Sequence, residues 1–162
     1  MPSFDLVSKL DSGEVKNAVT MAQKEVASRY DFKGSNTSIE MDDKSITITA
    51  DDDYKIGAAL DILRTKMAKR NLGMKSMEVG EPIATGLKML KLTISLKAGI
   101  DKEQGKVINK IVKESKLKVT SAYMDEKIRL TGKSIDELQQ AWATIRNHND
   151  VKIELQMENM KR

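Results

Sequence analysis

Hydrophobic positions along this chain follow two periods, and the two periods appear in the same order twice. After a short apolar opening, FDLVSKL, which reads as a strand, Val15, Ala18, Val19, Ala22 and Val26 recur at three- and four-residue spacing, the stripe of an amphipathic helix. Asp11, with Glu14 three residues on, supplies its N-cap. Alternation with period two follows at about 37–41 and 45–50, predicting two strands joined at Asp42-Asp43. A second helical stripe carries Ile56, Ala59, Leu60, Leu63 and Met67, and MKSMEV closes the set as a short strand.

The second half repeats this order more cleanly. Leu90, Leu92, Ile94 and Leu96 alternate with Lys91, Thr93, Ser95 and Lys97. Val107, Ile108, Ile111 and Val112 mark a helix, residues 117–132 a hairpin, and Ile135, Leu138, Trp142 and Ile145 a further helix. Alternation at Val151, Ile153, Leu155 and Met157 predicts the closing strand. At an offset of 82, Ile46 falls on Ile128, Ile48 on Leu130, Ile56 on Leu138, Ala59 on Ala141 and Leu63 on Ile145. Upstream the offset becomes 83 (Met41 to Met124), as one extra turn residue in the first copy would produce. This is a tandem duplication.

Strand, helix, strand, strand, helix, strand, written twice, is an α+β pattern: two ferredoxin-like βαββαβ sandwiches, each an antiparallel sheet with helices on one face. The expected domains are residues 1–80 and 87–162, joined by GEPIATG at 80–86, which holds Pro82 and two glycines. A connection of about ten residues is short enough to keep the copies in touch.

Composition narrows the function classes. Of 162 residues 40% are hydrophobic and 32% charged, and no apolar run approaches the roughly 20 residues of a membrane span. The start, MPSFDLVSKL, lacks the basic end and apolar stretch of a secretory signal, so a cytoplasmic protein without a membrane partner is expected. With no cysteine and a single histidine, His148, neither a thiolate nor a His-rich metal site can form, and no cofactor is implied. Residues 1–80 carry 12 Lys/Arg against 13 Asp/Glu, while residues 81–162 carry 16 against 11. The basic second half suits either a soluble surface or phosphate contacts. Lys102, Lys106, Lys110 and Lys113 fall on one helical face, extended by Lys116 and Lys118, a ridge able to meet RNA backbone or simply to solvate the helix. The third strands, SITIT and KIRLT, lack the aromatics on which RNA-binding domains of this element order stack bases.

Other chemistry-bearing stretches have plainer readings. TGKS at 131–134 has Lys127 where a P-loop needs glycine, and Ser134 with Glu137 forms a capping box. Asp51-Asp52-Asp53 stands at a helix start, where carboxylates cap. His148 has no nucleophile or acid spaced to assist it. No catalytic residue emerges, and an enzyme is not expected.

The stretch RYDFKG breaks the internal symmetry: from Val26 to Met41 the first copy spends 15 residues, against 12 from Val112 to Met124 in the second. Two readings are open. In one, Tyr30 or Phe32 stacks on a base, Arg29 and Lys33 pair with phosphates, and Gly34 allows close backbone approach. In the other, Tyr30 and Phe32 anchor the place where the copies meet, with Asp31 bridging to a basic neighbour.

The segments MPSFDLVS, SRYDFKG, ALDILRTKMAKRN, LKAGI, ESKLKV and GKSIDELQ together resemble the YajQ family of bacterial nucleotide-binding proteins along essentially the whole chain. The resemblance implies exchanged N-terminal strands, with residues 3–9 completing the second sheet and 88–97 the first. It further implies a non-catalytic receptor for a guanine nucleotide or cyclic di-GMP that acts through a partner such as a transcription regulator. The alternative is a protein that binds RNA or tRNA through its basic second domain. Met157 and Met160 stand where such proteins tend to have phenylalanine.

Overall fold

Four α-helices and nine strands form in the computed structural model, which describes residues 1–162. In order they are β1 (Ser3–Val7), α1 (Ser12–Ser28), β2 (Ser38–Met41), β3 (Ser45–Ala50), α2 (Asp53–Lys69), β4 (Met77–Val79), β5 (Ile83–Ala84), β6 (Leu90–Leu96), α3 (Lys102–Glu114), β7 (Val119–Met124), β8 (Lys127–Gly132), α4 (Ile135–Arg146) and β9 (Gln156–Lys161). Each helix begins where a side chain accepts a hydrogen bond from an otherwise unpaired N–H: Asp11 from Glu14, Asp52 from Lys55, Asp101 from Gln104, and Ser134 from Glu137. Ser134 and Asp52 are therefore caps, as their positions predict.

The strands form two antiparallel sheets, ordered β2-β3-β6-β4 and β7-β8-β1-β9. Each is the ferredoxin-like order with its first strand taken from the other half of the sequence. β1 lies between β8 and β9, with Phe4 opposite Leu130 and Asp5 opposite both Arg129 and Glu158. β6 lies between β3 and β4, with Ile94 opposite Ile46 and Val79. The chain accordingly divides into two compact units, Leu10–Lys97 and Met1–Lys9 with Ala98–Arg162. In sequence order the first is inner and the second outer.

Each unit has its own core. In the inner one the α1 stripe (Val15, Ala18, Val19, Ala22, Val26) and α2 (Ile56, Ala59, Ile62, Leu63, Met67) cover Ile46, Ile48, Leu92 and Ile94 of the sheet. In the outer one Ile108, Ile111 and Val112 of α3 and Leu138, Ala141 and Ile145 of α4 cover Phe4, Leu6, Ile128 and Leu130. The register of the duplication is visible in the elements: β3 and β8 begin 82 residues apart, as do α2 and α4. The extra turn residue lies between β2 and β3, where Asp42 Oδ1 accepts from the N–H groups of Lys44 and Ser45. The matching turn is two residues long, Asp125 and Glu126, both at positive φ, the type I′ geometry of tight hairpins.

Three expectations need correction. The closing strand is not 151–157: Val151 and Ile153 are buried as core anchors in irregular chain, and pairing to β1 begins only at Gln156. Of MKSMEV, Met74–Ser76 forms a 3₁₀ turn, and only Met77–Val79 pairs as a strand. The seam is not a plain connector either. Gly80 N–H donates to Thr93 O, and β5 adds Ile83 and Ala84 to β6, so the chain follows that edge almost to the hairpin closed by Thr85 N–H and Met89 O. Pro82, without an N–H, is tolerated there because the edge faces no further strand. No helix is long and apolar enough to cross a membrane.

Candidate functional site

The helix α1 ends because Arg29 turns extended, at φ −76° and ψ 138°, and the chain then makes one 3₁₀ turn, Tyr30–Phe32. That turn sends its two aromatics in opposite directions. Phe32 is 5% exposed and belongs to the inner core, while Tyr30 is 87% exposed. The pair is thus split: Phe32 is core of its own unit, and Tyr30 stands exposed. Of the two, only Tyr30 has a face open for stacking.

The charges of the stretch also separate. Arg29 Nη2 and Nε bond both oxygens of Asp31, at 2.7 and 3.0 Å, and Nη1 lies 3.6 Å from Glu25. Glu25 in turn accepts from Lys66 of α2 at 2.9 Å. The Arg29 guanidinium lies over the Phe32 ring, 5.6 Å from its centroid. Hydrogen bonding from Lys66 holds the Glu25 carboxyl below its ordinary 4.5, and hydrogen bonding from Arg29 holds Asp31 below 3.8. Arg29 is a pinned cation, and the bridge from Asp31 to a basic neighbour forms.

Lys33 and Gly34 go elsewhere. They line a groove of about 550 Å³ between the end of α1 and the edge strand β2. Its apolar part is Val26, Ala27, Phe32 and Ile39, and its polar part Gln23, Lys33, Ser35, Thr37, Ser38 and Glu40. Gln23 Nε2 donates to Ile39 O at 2.6 Å, so a side chain of α1 closes part of the unpaired edge of β2. Gly34 has φ +77°, and a Cβ there would touch nothing, so it is the left-handed backbone rather than crowding that calls for glycine. The loop is tied down beyond it by Asp51, whose carboxyl is held low first by the Ser35 hydroxyl and further by Lys55 and the Asn36 N–H. Lys33 forms no ion pair and is the one cation of the lining, and Glu40 the one carboxylate.

A second groove of about 340 Å³ adjoins at Gln23 and continues along α1 and β2, lined by Lys16, Val19, Thr20, Met41, Asp42 and Asp43. Sequence reasoning missed Gln23 and Glu40. Their place follows from β2 being an edge, which depends on strand order. The lysine ridge is present as expected: Lys102, Lys106, Lys110, Lys113, Lys116 and Lys118 are all exposed, with one ion pair among them, Lys110 to Glu114 at 3.9 Å.

Residues 2–161 match the family model described as nucleotide-binding protein YajQ-like. Among similar proteins, one from Geobacter sp. strain M21 is 44% identical over 161 residues, 99% of both chains. Another, from Trichlorobacter lovleyi, is 45% identical over 163 residues, and a third, from Bdellovibrio bacteriovorus, is 45% identical over 161, again across 99% of both chains. All three bear the name nucleotide-binding protein. With a match of this length and level, the chain belongs to the YajQ-like family.

Proposed function

We propose that this protein binds a nucleotide in the inner-unit groove between α1 and β2, and binds it without turning it over. The observation that carries this reading is the lining itself. Val26, Phe32 and Ile39 back the groove from the core, Lys33 offers it an unpaired cation for phosphate, and the exposed Tyr30, in the turn just before Lys33, is the stacking face for a base. Gly34 N–H, which has no acceptor within the chain, adds a backbone donor beside Lys33. The relatives' names point the same way.

Guanine is the base of choice because Glu40 is the only carboxylate in the lining. A carboxylate accepts from the N1–H and exocyclic N2–H of guanine and finds no matching pair of donors on adenine. The adjoining groove, with its own cation Lys16 and carboxylates Asp42 and Asp43, supports a ligand with two bases and two phosphates, such as cyclic di-GMP. Tyr30 is a stacking surface beside this region, and Arg29 shapes the turn rather than contacting ligand. The bound protein would act through a partner, for which a transcription regulator is the candidate.

Titration calorimetry with GTP and cyclic di-GMP tests this. Wild type should bind at least one of them, Lys33→Ala should weaken binding by about tenfold, and Glu40→Gln should reduce the preference for guanine over adenine nucleotides. An absence of heat with both ligands removes the reading.

A second reading rests on the exposed ridge from Lys102 to Lys118, which suits RNA phosphates. Affinity for tRNA should then fall steeply between about 50 and 200 mM salt, and charge reversal at Lys106 and Lys110 should flatten that dependence.

A further inference from the structure

In the outer unit, alternation along the strands turns Phe4, Leu6, Ile128 and Leu130 toward the helices, and Asp5 and Arg129 to the other face of the sheet. Asp5 is 7% exposed, an acid almost as buried as the core. Its Oδ1 accepts from Arg129 Nε at 3.0 Å and its Oδ2 from Asn159 Nδ2 at 3.2 Å. Asn159 sits where β9 slips its register against β1 between Ser3 and Asp5, in a left-handed conformation with φ 58°. Three strands therefore converge on one carboxylate, and its two oxygens are both taken.

The product of this arrangement is an oriented arginine. Arg129 is held at Nε, its side chain is 53% exposed, and its two terminal nitrogens have no bond within the chain. It lines a groove of about 490 Å³ with Asp5, Ala122, Met124, Asp125, Lys127 and Asn159. Lys127 is loosely held, since its acceptor Glu158 lies 3.5 Å away and is shared with Lys9 at 2.7 Å. Arg129, Lys127 and Lys9 are balanced by Asp5, Glu158 and Asp125, so the cluster is electrically neutral. A neutral cluster with a fixed guanidinium fork selects by hydrogen-bond geometry more than by charge.

We infer that this groove is a second ligand site, separate from the nucleotide reading, and that it takes a singly charged oxyanion. Two acceptor oxygens of a carboxylate or a phosphodiester engage the terminal nitrogens of Arg129, with Lys127 beside them and the ligand's apolar part against Ala122 and Met124. A dianion suits it less, because the surplus charge meets no surplus cation. Asp5, already committed, is the positioning residue.

The full chain, labelled with ¹⁵N, is titrated with butyrate, dimethyl phosphate and inorganic phosphate, while the Arg129 Nε–H and neighbouring amide resonances are followed. Butyrate or dimethyl phosphate should give saturable shifts, and whichever saturates first identifies the oxyanion. Arg129→Lys should weaken binding by about tenfold, since it keeps the charge but loses the fork. Met124→Glu, a change at an exposed position, should abolish it, and Lys33→Ala should leave it unchanged. Shifts that fail to saturate with both monoanions, tightest binding of inorganic phosphate, or wild-type affinity in Met124→Glu would each overturn the inference.

Discussion

The connection from α1 to β2 and its counterpart from α3 to β7 do the same job, each bringing a helix back to the edge of its sheet. The second does it in four residues, Ser115 to Lys118, with Lys116 at φ 59°. There the helix also approaches the strand closely. Ser121 Oγ lies 2.6 Å from Asn109 Oδ1, and a Cβ on Gly105 would stand 2.8 Å from the Tyr123 ring, which is itself tied through its hydroxyl to Ile100 O. The first takes nine residues, Arg29 to Thr37, and spends them on a 3₁₀ turn, a glycine at positive φ and a charge cluster. Its helix reaches the edge strand through the Gln23 amide, with a groove on either side of it. From one duplicated pattern, the short connection gives a packed edge and the long one a cavity. Five extra residues are enough to separate a packed corner from a grooved one.

That contrast can be broken from either side. Phe32→Ala should have the largest effect, about 3–5 kcal/mol of unfolding free energy in urea, because the ring is core, whereas Tyr30→Ala should stay within about 0.5 kcal/mol. Gly105→Val should cost about 1–3 kcal/mol by driving α3 off the Tyr123 ring, detected as a lower urea midpoint with unchanged slope. Gly34→Ala should cost about 1–2 kcal/mol from its left-handed backbone alone, and Lys116→Gly at the matching corner should stabilise the protein by a smaller amount, read in the same experiment. The smallest effect is local. Glu25 and Asp31 have folded pKa values below 4.5 and 3.8, so their stabilisation is complete above those values and is lost as pH falls through the lowered ones. Amide protection at Arg29–Phe32, taken relative to the intrinsic exchange rate at each pH, should therefore fall on acidification before protection at Ser115–Leu117 does.

Much of the fold was readable because periodicity reports burial, and burial follows the period. The α1 stripe, the alternation at Leu92 and Ile94, and the 82-residue register of β3 with β8 all came through. The closing strand did not, because Val151 and Ile153 alternate for core contact while hydrogen bonding to β1 is offered only later, in the mostly polar run QMENMK. Periodicity carries no information about which strand pairs with which. The exchange came from family resemblance, and the role of Ile83 and Ala84 on β6 was missed. The break in symmetry falls on Lys33 and Gly34, which line the groove. Which of Tyr30 and Phe32 points inward is not legible there, since it depends on a single 3₁₀ turn. Arg29 is occupied by the carboxylates four residues before and two after it, Glu25 and Asp31, a competition for phosphate that the spacing alone does not weigh.

The exchange also sets an order in biosynthesis. Everything from Leu10 to Lys97 can close on itself once β6 has left the ribosome, but β1, made before it, has no neighbour until β8 and β9 follow. β1 must wait, unpaired, while residues 8–126 are made. A protein arrested after Lys97 would carry one finished sheet and one stranded ribbon.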